Sequence, residues 1–195
     1  MKKIIGILVV SLLLIGCSSP TKTPEEVLTE YFNSLQSMTT NTADAFYAET
    51  YFDTTIDVDG LEDAGGFFNH EEPAPSEFIE HYIRLLSAFD YRINSSEEKD
   101  DEAIINVIMV TYPMNDIILE MFLEIFASIT LFETMTDEEI DAMIVEIFVD
   151  ISNEKAKDYQ SVFDVTMVKV DNQWKIKGGT TNALMFMALM GGLID

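Results

Sequence analysis

The spacing of apolar residues changes at Tyr91, and that change limits the fold more than any other feature of the sequence. Before it, apolar side chains return every three or four residues: Val27, Leu28, Tyr31, Phe32, Leu35 and Met38, then Phe78, Ile79, Tyr82, Leu85, Leu86 and Phe89. This spacing predicts two amphipathic helices. From Tyr91 to Glu97 and from Ala103 to Tyr112 the period is two, on either side of the polar turn Lys99-Asp100-Asp101-Glu102, and Pro113 ends the second run. A second hairpin pattern pairs Ser161 to Val170 with Trp174 to Lys177 across Asp171-Asn172-Gln173. Between the hairpins, Asp116 to Phe132 and Asp137 to Ile151 read as helices, and a last apolar helix, Ala183 to Met190, is stopped by Gly191-Gly192. Helices followed by antiparallel hairpins predict an α+β domain over 24–195. Its curved sheet of about four strands packs against N-terminal helices, with a two-helix insertion at 115–151.

The helix boundaries are written locally. Thr23-Pro24-Glu25-Glu26 carries an N-cap, a proline at the first helical position and a capping-box glutamate, and Thr136 with Glu139 repeats the box. Ser76 and Asn182 are the expected caps of their helices. A shorter helix is expected from Ala43 to Tyr51. From Asp53 to Pro75 the periodicity fails, acids and glycines accumulate, and Pro73-Ala74-Pro75 closes an exposed loop.

Lys2 and Lys3 precede an apolar stretch, Ile4 to Ile15, that suits a signal h-region and is too short to span a bilayer comfortably. It ends in Leu14-Ile15-Gly16-Cys17, which resembles the lipobox of bacterial lipoproteins. There the cysteine thiol takes a diacylglyceryl group, and cleavage makes it the first residue. The resemblance implies a signal peptide over 1–16, lipidation of Cys17 and a membrane-anchored domain on the extracytoplasmic face, at the bacterial cell surface. Two or more acyl chains, at about 0.8 kcal/mol per buried CH₂, hold a protein on a membrane where one would not. Residues 18–23 are the whole tether and reach at most about 20 Å, so the domain stays close to the bilayer.

The 195 residues carry a net charge of −24, or −26 once Lys2 and Lys3 leave with the signal. Such a surface repels phosphate backbones, and nucleic acid is excluded as a partner. With 48% apolar and 11% aromatic residues the chain has the material for a core, and a mature domain of this size can bury roughly 70% of its unfolded surface. A single Cys and two His leave no disulfide and no cysteine-based zinc site.

The opening Thr-Pro-Glu-Glu-Val, the lipobox upstream, the late hairpin ending in Trp174-Lys175-Ile176-Lys177 and the close Asn182-Ala183-Leu184 to Gly191-Gly192-Leu193 resemble small Gram-positive surface lipoproteins with the nuclear-transport-factor-two-like cone fold. That resemblance implies a curved sheet wrapped against helices around a conical pocket. In some members the pocket is an active site, and in many it is a binding cavity. The segment 115–151 departs from the minimal cone.

No Gly-x-Ser-x-Gly, glycine-rich phosphate loop or His-Glu-x-x-His occurs, so hydrolase and nucleotide chemistry drop out. Asp57, Asp59, Gly60 and Asp63 fall at positions three, five, six and nine of a calcium loop, but Thr55 and Gly66 stand where the opening carboxylate and closing glutamate belong. No metal and no cofactor is expected. His70 reads as a loop residue, and His81, with Glu77 and Glu80 nearby, as a protonated partner in a surface ion pair. A cone-type isomerase would need a carboxylate and tyrosines facing one cavity, for which Asp90, Tyr31, Tyr82 and Tyr112 are the candidates.

The helix from Asp116 to Phe132 has a polar stripe of only Asp116, Glu120, Glu124 and Ser128, with apolar side chains on every other side. It has to be covered from more than one direction, by this chain or by a partner or ligand on one flank. Met185, Met187 and Met190 form a deformable surface of the kind that adapts to varied shapes. The expectation is a non-enzymatic binding module for a small apolar ligand, a peptide or an envelope partner, or a self-associating homodimer. Its pocket or interface would include Phe122, Phe126, Met185, Met187, Met190, Tyr31 and Tyr82.

Overall fold

The computed structural model describes residues 22–37 and 75–192. The leader, Cys17, the helix expected over 43–51, the acidic stretch 55–66 and His70 lie outside the described residues.

Helix α1, Pro24–Gln36, opens as its sequence predicts. Thr23 Oγ1 accepts from Glu26 N at 3.2 Å, and the Glu26 carboxylate accepts from Thr23 N at 2.9 Å, so two amide donors at the helix start are satisfied reciprocally. Helix α2, Ser76–Ser87, corrects one cap: Pro75 holds the N-cap position without a side-chain bond, and Ser76 is already helical. The extended backbone of Pro75 (φ −53°, ψ 135°) presents its carbonyl to Ile79 N at 3.2 Å, and no hydroxyl is needed to start the turn.

Strands β1, Asp90–Lys99, and β2, Glu102–Thr111, form the first hairpin, with Asp100 left-handed in its turn (φ 55°). Strands β3, Tyr159–Val170, and β4, Gln173–Ile176, form the second. Its turn residues Asp171 and Asn172 are both left-handed (φ 51° and 62°), the signature of a type I′ hairpin. The hairpins join edge to edge in the order β1-β2-β3-β4, all antiparallel, with Glu102 to Thr111 of β2 paired against Val168 to Tyr159 of β3.

Between those two neighbouring strands the chain makes α3, Met114–Phe132, and α4, Asp137–Glu154. Helix α3 starts two residues ahead of its expected position because Pro113 both ends β2 and offers its carbonyl to Ile117 N at 3.1 Å. Helix α5, Ala183–Leu189, ends at Gly191 and Gly192, both left-handed (φ 58° and 77°). A Cβ on Gly191 would lie 2.2 Å from the Tyr112 carbonyl oxygen, so the close approach of this turn to the end of β2 requires glycine.

Two cores result. Alternate residues of β2 and β3, namely Ala103, Ile105, Val107, Met109, Phe163, Val165 and Met167, face α1 and α5, whose Leu28, Tyr31, Phe32 and Met185 cover them. Away from the sheet, Tyr82, Leu85 and Leu86 of α2 pack with Met114, Ile117 and Met121 of α3 and Phe148 of α4. Ile79, Ile144 and Val145 extend the α2–α4 contact.

Strand β4 reaches only the last four residues of β3, and Asn182 continues the pairing. Its side chain accepts from Thr166 N at 2.8 Å and donates to Thr166 O at 3.0 Å and to Lys177 O at 2.8 Å. Asn182 holds the N-cap position of the last helix, where the sequence places it, but it makes no side-chain cap bond, because its amide is spent on the sheet. From there α5 runs beneath β3 and β2, ending where Gly192 meets the ring of Tyr159.

Candidate functional site

Helix α3 rests on α4 and α2 through one side only. Met114, Ile117 and Met121 are buried, and Ile118, Ile125, Ser128 and Phe132 are half-buried. At 100° per residue the opposite side carries Leu119, Leu123 and Phe126, which are 55%, 61% and 65% exposed. Ile129 (51%) and Phe122 (39%) stand at one edge of this stripe. Along the other edge runs an acidic ridge of Asp116, Glu120 and Glu124, all exposed. Lys155, just beyond α4, donates to Glu120, and that contact raises the lysine pKa above its ordinary value. Ser128, expected on the polar stripe, is half-buried instead. Despite its apolar length, α3 is not a membrane span: among the described residues no helix is long and apolar enough to cross a bilayer.

The remaining residues of the expected pocket or interface divide. Met185 and Tyr31 are fully buried in the sheet core, and Tyr82 is largely buried in the helical core. Met187 and Met190 are half-buried, the latter packed on the helical core. Methionines of a short apolar helix serve a core as readily as a surface, and here the position of α5 beneath β3 turns Met185 inward.

A cleft of about 490 Å³ opens between the start of α2 and the outer side of α4. Its floor is Ala142, Val145 and Val149, and Glu77, Glu138, Asp141, Glu146 and Asp150 stand around it. None of the pocket residues expected from the sequence lines it. Among the described residues no group of carboxylates, histidines or cysteines is arranged to hold a metal ion.

The residues weighed for isomerase chemistry are not assembled. Tyr31 and Tyr82 sit in different cores, Tyr112 packs beside the second, and Asp90 is exposed and pairs with Lys157 at 2.6 Å. Burial raises the Tyr82 pKa, which keeps its hydroxyl protonated.

His81 is a further correction. It is buried, with Nε2 2.5 Å from Ser152 Oγ and Nδ1 2.5 Å from an Nη of Arg84. Ser152 donates its one hydroxyl proton to Val149 O at 2.9 Å, so it accepts from Nε2–H, and Nδ1 accepts from the guanidinium. Burial first, and then the Arg84 charge, lower the His81 pKa against a smaller opposing effect of Glu77. The ring is therefore neutral, not the cation of a surface ion pair. This is not a nucleophile and base either. The serine proton points away from the ring, and the group behind the imidazole is a cation where a carboxylate would be required. No sequence signal flagged the pairing, because Ser152 lies on another helix.

No protein-family model matches this sequence, and comparison with curated proteins gives no match. Among solved structures, the chain is similar to the crystal structure of "a putative lipoprotein (ycdA)" from Bacillus subtilis, with a TM-score of 0.51 and 13% sequence identity. The match covers 85% of this chain and 54% of the other, so this chain spans about half the length of that neighbour. At that identity the similarity is one of fold: an α+β domain with helices packed on a curved, open antiparallel sheet.

Proposed function

We propose that this protein is a non-enzymatic binding module, anchored by lipid at Cys17 to the extracytoplasmic face of a bacterial membrane, that engages a partner protein through the exposed stripe of α3. The address rests on the leader and Leu14-Ile15-Gly16-Cys17, and the fold shared with a protein described as a lipoprotein agrees with it.

The observation that carries the binding role is the stripe itself. Leu119, Leu123, Phe126 and Ile129 are large apolar side chains more than half exposed along one helix face. Scattered exposed leucines are ordinary on a protein surface, but a contiguous row of four with Phe122 beside it is the pattern of an interaction site. Its shape selects the kind of ligand. A small apolar molecule needs a concave site that surrounds it, whereas a convex helix side suits a protein surface.

A photo-reactive side chain introduced at Phe126 in intact cells tests this reading. It should yield one discrete protein adduct that the same group at Val162, on the outer face of β3, does not. Equal labelling from both positions, or none from Phe126, would remove the stripe as the binding surface.

A further inference from the structure

The charges beside the stripe identify the class of partner, on the reading that the stripe is a protein-binding surface. Asp116, Glu120 and Glu124 lie one turn apart along its edge; Lys155 pairs with Glu120 and acts more weakly on Asp116, and three acids against one lysine leave the ridge net negative. The chain as a whole carries −24. In an antiparallel pairing of two α3 helices about a twofold axis, both acidic ridges would fall on the same side of the contact, where like charges oppose it. An anionic bilayer surface meets the same repulsion. A helix with an apolar row and a flank of Lys or Arg matches both features at once, burying its row on Leu119, Leu123 and Phe126 and setting its cations against Asp116 and Glu124.

We infer that the α3 face docks a basic amphipathic helix presented by a partner protein. Part of the attraction is then screened by salt, since Asp116 and Glu124 are exposed.

The test uses the full-length chain in nanodiscs of zwitterionic lipid and a fluorescent Leu/Lys amphipathic peptide of about 18 residues, long enough to hold a helix. Phe126→Glu should weaken binding about ten-fold or more although it adds negative charge, because it interrupts the apolar row. Asp116→Asn together with Glu124→Gln should weaken it about three-fold and flatten its salt dependence. The equal charge change Glu97→Gln with Glu98→Gln, in β1, should leave it within about two-fold. Tighter or unchanged binding by Phe126→Glu would mean that diffuse charge alone holds the peptide, and would overturn the inference. A Leu/Glu peptide with the same apolar row that binds as well as the Leu/Lys one would overturn the partner class while leaving the stripe as a binding surface. Sedimentation showing that the chain dimerises in a manner abolished by Phe126→Glu would assign the stripe to a second copy. Quenching of a fluorophore at position 126 by spin-labelled lipid would assign it to the bilayer. Either result overturns the inference.

Discussion

Nε2 of His81 lies 2.5 Å from Oγ of Ser152, 71 residues further along the chain, and this bond joins α2 to α4. Arg84 donates to the other ring nitrogen, and Ser152 passes its own proton to Val149 O. Both ring nitrogens are thus satisfied only while the imidazole is neutral.

Stability should therefore fall on the acid side of neutrality. The folded-state pKa of His81 is lowered from 6.5, by burial first and Arg84 second. Above 6.5 the ring is neutral in both folded and unfolded chains, and the contribution is fully present. As pH drops through that value the unfolded chain takes up the proton first, so stability is lost progressively toward the lower folded pKa. Urea midpoints measured from about pH 7.5 to pH 5 should show this slope, and His81→Gln should remove it. Ser152→Ala, which strands a buried ring N–H, should cost about 1–3 kcal/mol at neutral pH.

The packed side of α3, with its α4 neighbour Phe148, should lose far more stability on truncation than the exposed side. Met121 and Phe148 are fully buried, and their replacement by Ala should cost about 2–5 and 3–5 kcal/mol respectively. Leu123→Ala and Phe126→Ala remove side chains that are 61% and 65% exposed, and each should cost less than about 1 kcal/mol. Chemical denaturation of the four variants distinguishes the sides, and a loss above about 3 kcal/mol at Phe126 would make it a core residue.

Asn182 should matter more than a helix cap would. Its amide bonds Thr166 N, Thr166 O and Lys177 O, so Asn182→Ala leaves three backbone groups without these partners and should cost about 1–3 kcal/mol. Asn182→Asp should be worse, since it keeps the acceptor for Thr166 N but turns a carboxylate oxygen on two carbonyls. Hydrogen exchange at the Thr166 amide should accelerate in both variants.

Removing the lipid acceptor should release the protein. Cys17→Ser leaves no thiol anywhere in the chain, and the short h-region does not replace two acyl chains. Membrane fractionation should find the variant lost from stable membrane association and unprocessed at residue 16. Normal processing and retention would refute lipidation.

What could be read from the sequence was what neighbouring residues decide among themselves. The capping boxes of Thr23–Glu26 and Thr136–Glu139, the left-handed Asp171-Asn172 turn, the proline that ends β2 and the glycines that stop α5 all act within a few residues, and each appears where its sequence places it. The periods of three to four and of two separated helix from strand for the same reason, because they depend only on how each backbone projects its side chains. The α+β class followed from their order.

The candidate site was legible only in part. An almost wholly apolar α3 announced that one side would need a cover, yet which side the chain itself supplies was decided by where α2 and α4 settle, through Met121 and Phe148. His81 looked like a partner for Glu77 and Glu80 because those are its neighbours on one helix. Ser152, far along the chain, and burial between α2 and α4 reversed its charge state. Asn182 had the local form of a cap, and Thr166 took its amide for the sheet. In each case a local preference of about 1 kcal/mol yields to burial and hydrogen bonding across the fold, and these depend on contacts that sequence spacing does not encode.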